Sequence, residues 1–215
     1  MKKNLTEIIF ILDRSGSMHH LEGDTIGGYN SFLDQQRAEE GEARVTTVLF
    51  DDRYEILHDY VDIKDISPIT KKEYFARGST ALLDAVGKTI KEVEHRQNFA
   101  SVDETPEKTM VVIITDGLEN ASREYSLDTV KKMVTAQQGK HGWEFIFLGA
   151  NIDAVKTAGG FGISADRAVN YHADAVGTAM NFASISIAAT AMRKCGIVGQ
   201  DWRKRSDEDF EKRKK

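Results

Sequence analysis

Two periodicities alternate along the chain. Ile8, Ile9, Phe10, Ile11 and Leu12 form a short unbroken apolar run that stops at Asp13, the pattern of a strand covered on both faces. Ile26, Tyr29, Phe32 and Leu33 then follow helical spacing across 24–40, with Gly41 as the stop. Residues 43–50 read as a strand, Asp51-Asp52-Arg53 as a tight turn and 54–63 as a returning strand. This predicts a hairpin at a sheet edge. After a polar connection at 65–74 containing Pro68, helical spacing resumes from Thr80 through Leu82, Leu83, Val86, Ile90 and Val93. A polar loop at 98–108 leads into TMVVIIT at 109–115, the strongest buried-strand signal, and this run also ends on an acid, Asp116.

Ser126 reads as the N-cap of a helix through Val130, Met133 and Val134 that Gly139 ends. Trp143 to Leu148 is a further buried strand, and a short helix from Asp153 gives out at Gly159-Gly160-Phe161-Gly162. A last short strand is expected at 167–171 and a helix of small residues at 175–194. Residues 201–215 mix both charges densely and are expected to be a frayed helix or disordered. The division expected is a domain over 1–195 and a charged tail over 196–215.

Strands alternating with helices imply the α/β class: an open, mostly parallel, doubly wound (Rossmann-like) sheet of about six strands with helices on both faces and one antiparallel edge strand. In the common strand order 3-2-1-4-5-6, the switch point lies between the first and fourth strands. These are the strands that end in Asp13 and Asp116, so two acids distant in sequence would face one crevice.

The chemistry concentrates there. Asp13, Ser15 and Ser17 present a carboxylate and two hydroxyls at alternate positions, with Gly16 allowing a tight turn between them. Three hard oxygen donors at the carboxyl end of a buried strand read as a cation site. A plainer reading has the same residues capping the following turn and helix, and Thr80 capping the helix after it. Asp116-Gly117 taken alone is a turn.

Bulk properties narrow the function. A chain of 215 residues with 40% hydrophobic and 29% charged residues suits one well-buried domain. A formal net charge of −5 carries no electrostatic footprint for nucleic acid and disfavours anionic membranes. Cys195 is the single cysteine, which rules out an internal disulfide and a cysteine metal cluster. The apolar core near the N-terminus is only about five residues, short of the roughly 7–15 of a signal peptide. No run approaches the roughly 20 residues of a membrane span; Val176 to Met192 comes nearest but is interrupted by Asn181 and several Ser and Thr residues. A cytoplasmic protein is expected.

DRSGSM at 13–18, GSTALLDAV at 78–86 and IITDG at 113–117 together resemble the von Willebrand factor type A (VWA) domain, over about the first 195 residues. ITDGLENASREYS at 114–126 and FLGANIDA at 147–154 look like its small cytosolic bacterial members. The resemblance implies an intact metal-ion-dependent adhesion site, with Asp13, Ser15, Ser17, Thr80 and Asp116 as the metal-binding set. It implies Mg²⁺ or Mn²⁺ as the cation, and a protein partner whose Asp or Glu completes the coordination. The implied function is metal-dependent protein binding by a non-enzymatic module, expected to be a monomer with no nucleic-acid or membrane partner.

The competing reading is a metal-dependent phosphohydrolase with Asp13 as nucleophile. Phosphatases of the haloacid-dehalogenase type want a second acid where this chain has Ser15, and no lysine adjoins the motifs to anchor a phosphate. A dinucleotide-binding reading lacks the glycine-rich fingerprint after the first strand. Asp84 is expected to be solvated or to support the site from behind, His19 and His20 to lie on the surface, and Cys195 to be no nucleophile.

Overall fold

The computed structural model describes residues 1–214. The first half runs β1 (Lys2–Asp13), α1 (Glu22–Arg37), β2 (Glu42–Phe50), β3 (Tyr54–Asp62), α2 (Leu82–Phe99) and β4 (Pro106–Thr115). The second half runs α3 (Leu127–His141), β5 (Glu144–Ala150), α4 (Ala154–Gly160), β6 (Ala168–Tyr171), α5 (Ala175–Cys195) and α6 (Lys204–Arg213). The strands form one sheet of order β3-β2-β1-β4-β5-β6. All neighbours pair in parallel except β2 and β3, the antiparallel hairpin at one edge. This is the expected sheet in the expected order.

The unbroken apolar runs follow from coverage on both faces. Ile8, Phe10 and Leu12 join Met110, Val112 and Ile114 in a core closed by Tyr29, Phe32 and Leu33 of α1 and by Phe182, Ile185 and Met192 of α5. Ile9, Ile11, Val111 and Ile113 face the other way, against Val86, Ile90 and Val93 of α2 and Val130 and Val134 of α3. By length and composition α5 could cross a membrane, with a mean hydropathy of 1.3 over its most apolar window. Phe182, Ile185, Ala188, Ala189 and Met192 on its inner face are buried in the core, while Val176 and Ile187 are exposed.

Several boundaries differ from expectation. Helix α3 passes Gly139 and stops at Gly142, which adopts the left-handed conformation at φ 63°. An interior glycine only weakens a helix by about 1 kcal/mol, whereas a helix stop of this kind needs the left-handed region. Strand β4 begins at Pro106, inside the expected loop; proline is tolerated at the first residue of a strand. The polar connection at 65–74 is pinned by buried Ile66, Ile69 and Tyr74.

The charged C-terminal segment is also ordered. Trp202 is buried and its indole N–H donates to the Asp166 carbonyl at 3.0 Å. Helix α6 follows, with Ser206 Oγ 2.8 Å from Ser184 Oγ of α5 and Arg213 donating to Asp174, the N-cap of α5. Lys215, the last residue of the expected tail, lies outside the described residues.

Candidate metal centre

Asp13 ends β1 and Asp116 directly follows β4, so the parallel pairing of these two central strands delivers both acids to one edge of the sheet. Thr80 arrives on the segment before α2. That segment is sewn to the first loop by Arg77 N–H to the Arg14 carbonyl (2.8 Å) and Gly16 N–H to the Gly78 carbonyl (3.1 Å). The five residues singled out by sequence thereby come together. Ser15 Oγ lies 3.1 Å from Ser17 Oγ, and Ser17 Oγ donates to Asp116 Oδ1. A Cβ on Gly117 would sit 3.3 Å from Ser17 Oγ and 3.4 Å from Thr80 Oγ1, so the two hydroxyls approach the same residue from either side and leave little room for a side chain there. Asp13, Ser15, Thr80 and Asp116 are buried while Ser17 is exposed, which opens the cluster to solvent on one side.

Capping does not account for these residues. Ser15 precedes a short 3₁₀ turn, and α2 is preceded by Ala81; neither position carries a side-chain capping bond. Asp13 Oδ1 accepts from Ser15 N–H and Oδ2 from Thr115 Oγ1, each at 2.6 Å. Burial outweighs these bonds and pushes the Asp13 carboxyl up to about 6. Burial also raises Asp116, whose Oδ2 is buried with no hydrogen-bond partner among the described residues.

No cluster of three or more His, Cys, Asp or Glu side chains suited to a metal occurs among the described residues. The donor set is two carboxylates and three hydroxyls, all hard oxygens. It fits a cation of the Mg²⁺ or Mn²⁺ type and not one that needs nitrogen or sulfur. The orphaned Asp116 oxygen and the raised Asp13 carboxyl are two buried acids short of positive charge, which a divalent cation would supply.

The frame that holds the set was not legible as such. Arg14, inside the loop motif, is fully buried. Its Nε donates to Asp51 Oδ2 at 2.9 Å and its Nη2 to Glu55 at 2.6 Å. Arg77 Nε donates to the same Asp51 oxygen at 2.7 Å, and the Asp51 carbonyl accepts from Ala81 N–H at 2.9 Å. Asp51 therefore grips both the loop carrying Ser15 and Ser17 and the segment carrying Thr80. Sequence placed it in a hairpin turn; its position at the end of the strand beside β1 was the available signal.

Two further acids secure the loop after Asp116. Glu119 accepts from the backbone of Leu83, Ala121 and Ser122 and from Ser122 Oγ, at 2.7–3.0 Å. Asp84 accepts three backbone N–H groups, those of Arg123, Glu124 and Tyr125, at 2.8–2.9 Å. Asp84 thus supports this loop and is not in the oxygen cluster. Asn120 Oδ1 accepts Thr80 N–H at 2.9 Å. His19 and His20 are exposed, and His20 lies between the carbonyls of Ser17 (2.9 Å) and Ala173 (3.2 Å). Cys195 is an exposed free thiol.

No protein-family model matches the chain, and no curated protein does. Solved structures do. A von Willebrand factor type A protein from Catenulispora acidiphila superposes with a TM-score of 0.57 at 16% identity, over 86% of this chain and 42% of that one. Proximal thread matrix protein 1 from the mussel byssus, described with a zinc-occupied metal-ion-dependent adhesion site, gives 0.57 at 17% identity over 86% and 46%. Manganese-loaded TRAP protein of Plasmodium vivax gives 0.51 at 17% over 69% and 58%. The fold is that of a von Willebrand factor type A domain. The chain spans less than two thirds of the length of each of these structures.

Proposed function

We propose that this chain is a metal-dependent protein-binding module. A divalent cation, Mg²⁺ or Mn²⁺, is held by Asp13, Ser15, Ser17, Thr80 and Asp116, and an Asp or Glu of a partner protein completes its coordination. The observation that carries this is the gathering of three hydroxyls and two carboxylates from three separate segments, with one buried Asp116 oxygen unpartnered. With three neutral hydroxyls against two carboxylates the ion is left under-neutralised, and the exposed side at Ser17 suits one further anionic oxygen. The metal-bearing neighbours, one with zinc and one with manganese, support a divalent ion at this place in the fold.

Asp13 is poorly placed to attack a phosphate. It is fully buried, and each of its oxygens already accepts a hydrogen bond. The second lone pair on each oxygen remains for a cation. This favours the binding module over the phosphohydrolase.

Calorimetric titration of metal-stripped protein with Mg²⁺ and then Mn²⁺ tests the reading. Wild type is expected to saturate near one ion per chain, and Asp116→Asn, which keeps shape and removes charge, to give no heat. Absence of binding by wild type, or equal binding by Asp116→Asn, would sink it.

A further inference from the structure

Beside Thr80 the surface sinks into a pocket of about 540 Å³. Ser79 and Ala81, on either side of Thr80, both line it. Its walls are the β2–β3 turn, the start of α2 and the loop following Asp116. That loop is not free to close the pocket, because Glu119 and Asp84 fasten it to α2, and Asn120 and Ala121 N–H donate to the Thr80 carbonyl at 3.0 and 3.2 Å. The pocket is therefore preformed and rigidly indexed to one of the metal-site hydroxyls.

Its charged groups sort by commitment. Asp84 spends both carboxylate oxygens on backbone N–H groups, and Glu124 is paired with Lys88 at 2.6 Å. Arg53 and Arg123 also line the pocket, are exposed, and make no ion pair among the described residues. Asn120 uses Oδ1 on Thr80 N–H, so its amide donors face no such commitment. Against these donors stands Asp52, which also lines the pocket and makes no ion pair among the described residues. The free hydrogen-bonding capacity is thus mostly donor, and two of the donors are guanidinium groups, which favour bidentate carboxylate partners.

We propose that this pocket is a second recognition subsite, taking a carboxylate side chain that lies one or two residues from the acid on the metal, in the same partner protein. The proposal rests on the metal-dependent binding reading and adds to it the identity of the recognised feature. The partner presents a pair of acids close in sequence, one for the cation and one for Arg53 and Arg123. Selectivity then comes from the pocket, since any exposed acid satisfies the metal alone.

The test uses the full chain saturated with Mn²⁺ and two short synthetic peptides. One carries a single Glu; the other carries the same Glu and an Asp two residues on. The two-acid peptide is expected to bind about tenfold more tightly, the gain of one charge-assisted contact. In the double variant Arg53→Gln, Arg123→Gln that advantage is expected to vanish, with single-acid affinity and melting temperature unchanged. Equal affinity of the two peptides for wild type, or an advantage that survives in the double variant, overturns the subsite and leaves the metal reading standing. Failure of both peptides to bind in a chelator-sensitive way overturns partner capture by the metal, and the subsite with it.

Discussion

Asp51 shows how one residue sets the spacing of the proposed ligands without joining them. Its carboxylate receives Arg14 and Arg77, and its carbonyl receives Ala81. Arg77 is partly exposed and can be changed without opening the core. Arg77→Gln is expected to weaken Mn²⁺ binding about tenfold, as loss of supporting bonds around a metal site commonly does, with under about 1 kcal/mol of stability lost. Arg77→Lys should recover part of the affinity, which calorimetry would read. Asp51→Asn is harsher, because it removes the buried one of the two carboxylates that pair with the fully buried Arg14 guanidinium and leaves only the half-exposed Glu55. Denaturant midpoints should report a loss of about 3–5 kcal/mol. Asp13 adds a pH dependence. Its carboxyl is raised from 3.8 to about 6 by burial, so without metal the folded chain holds this proton more tightly than the unfolded chain. The stability this contributes is present below about pH 4 and lost as pH rises through about 6, roughly 3 kcal/mol in all. A cation needs the carboxylate, so Mn²⁺ affinity should fall as pH drops below about 6, with a proton released on binding. Titrations at pH 5 in buffers of different ionisation enthalpy would reveal that proton.

At the scale of elements, legibility followed coverage. β1 and β4 announced themselves because both faces are covered, which turns their apolar positions into unbroken runs. The five oxygen donors proposed for the cation stood out in the sequence for a related reason: each lies just beyond an apolar run or at the start of a helical pattern. Arg14 and Asp51 were opaque because charged residues in loops ordinarily face water, and only the neighbouring strand end reveals that they are buried together. The C-terminal helix was legible only as one of two alternatives, a frayed helix or disorder, and its packing on the core was not legible. Its segment buries few side chains, chiefly Trp202 and Ser206, so its dense charge dominates any periodic signal. The structure makes Trp202 an anchor for that segment. Trp202→Ala is expected to cost about 3–5 kcal/mol, the range for emptying a buried aromatic site, and to expose residues 200–213 to rapid amide exchange. A variant that unfolds at the wild-type denaturant concentration would show that the segment contributes nothing to the core.

For the whole molecule, a cation that binds only the folded chain stabilises it by mass action. At free Mn²⁺ about 100 times the dissociation constant the gain is roughly 2.7 kcal/mol, which for a chain of this size is a rise of about 5–10 °C in melting temperature. Scanning calorimetry should show that rise in wild type and not in Asp116→Asn. The hydrogen bond from Ser17 to Asp116 bears on what happens between loadings. It spans the same two oxygens that the cation would draw together, so the loops are fastened whether or not an ion is there to fasten them. Loading becomes an exchange of one clasp for another, and unloading returns the first clasp to its place. On the proposed reading, the chain would release a partner by surrendering the ion and still keep its grip's shape for the next encounter.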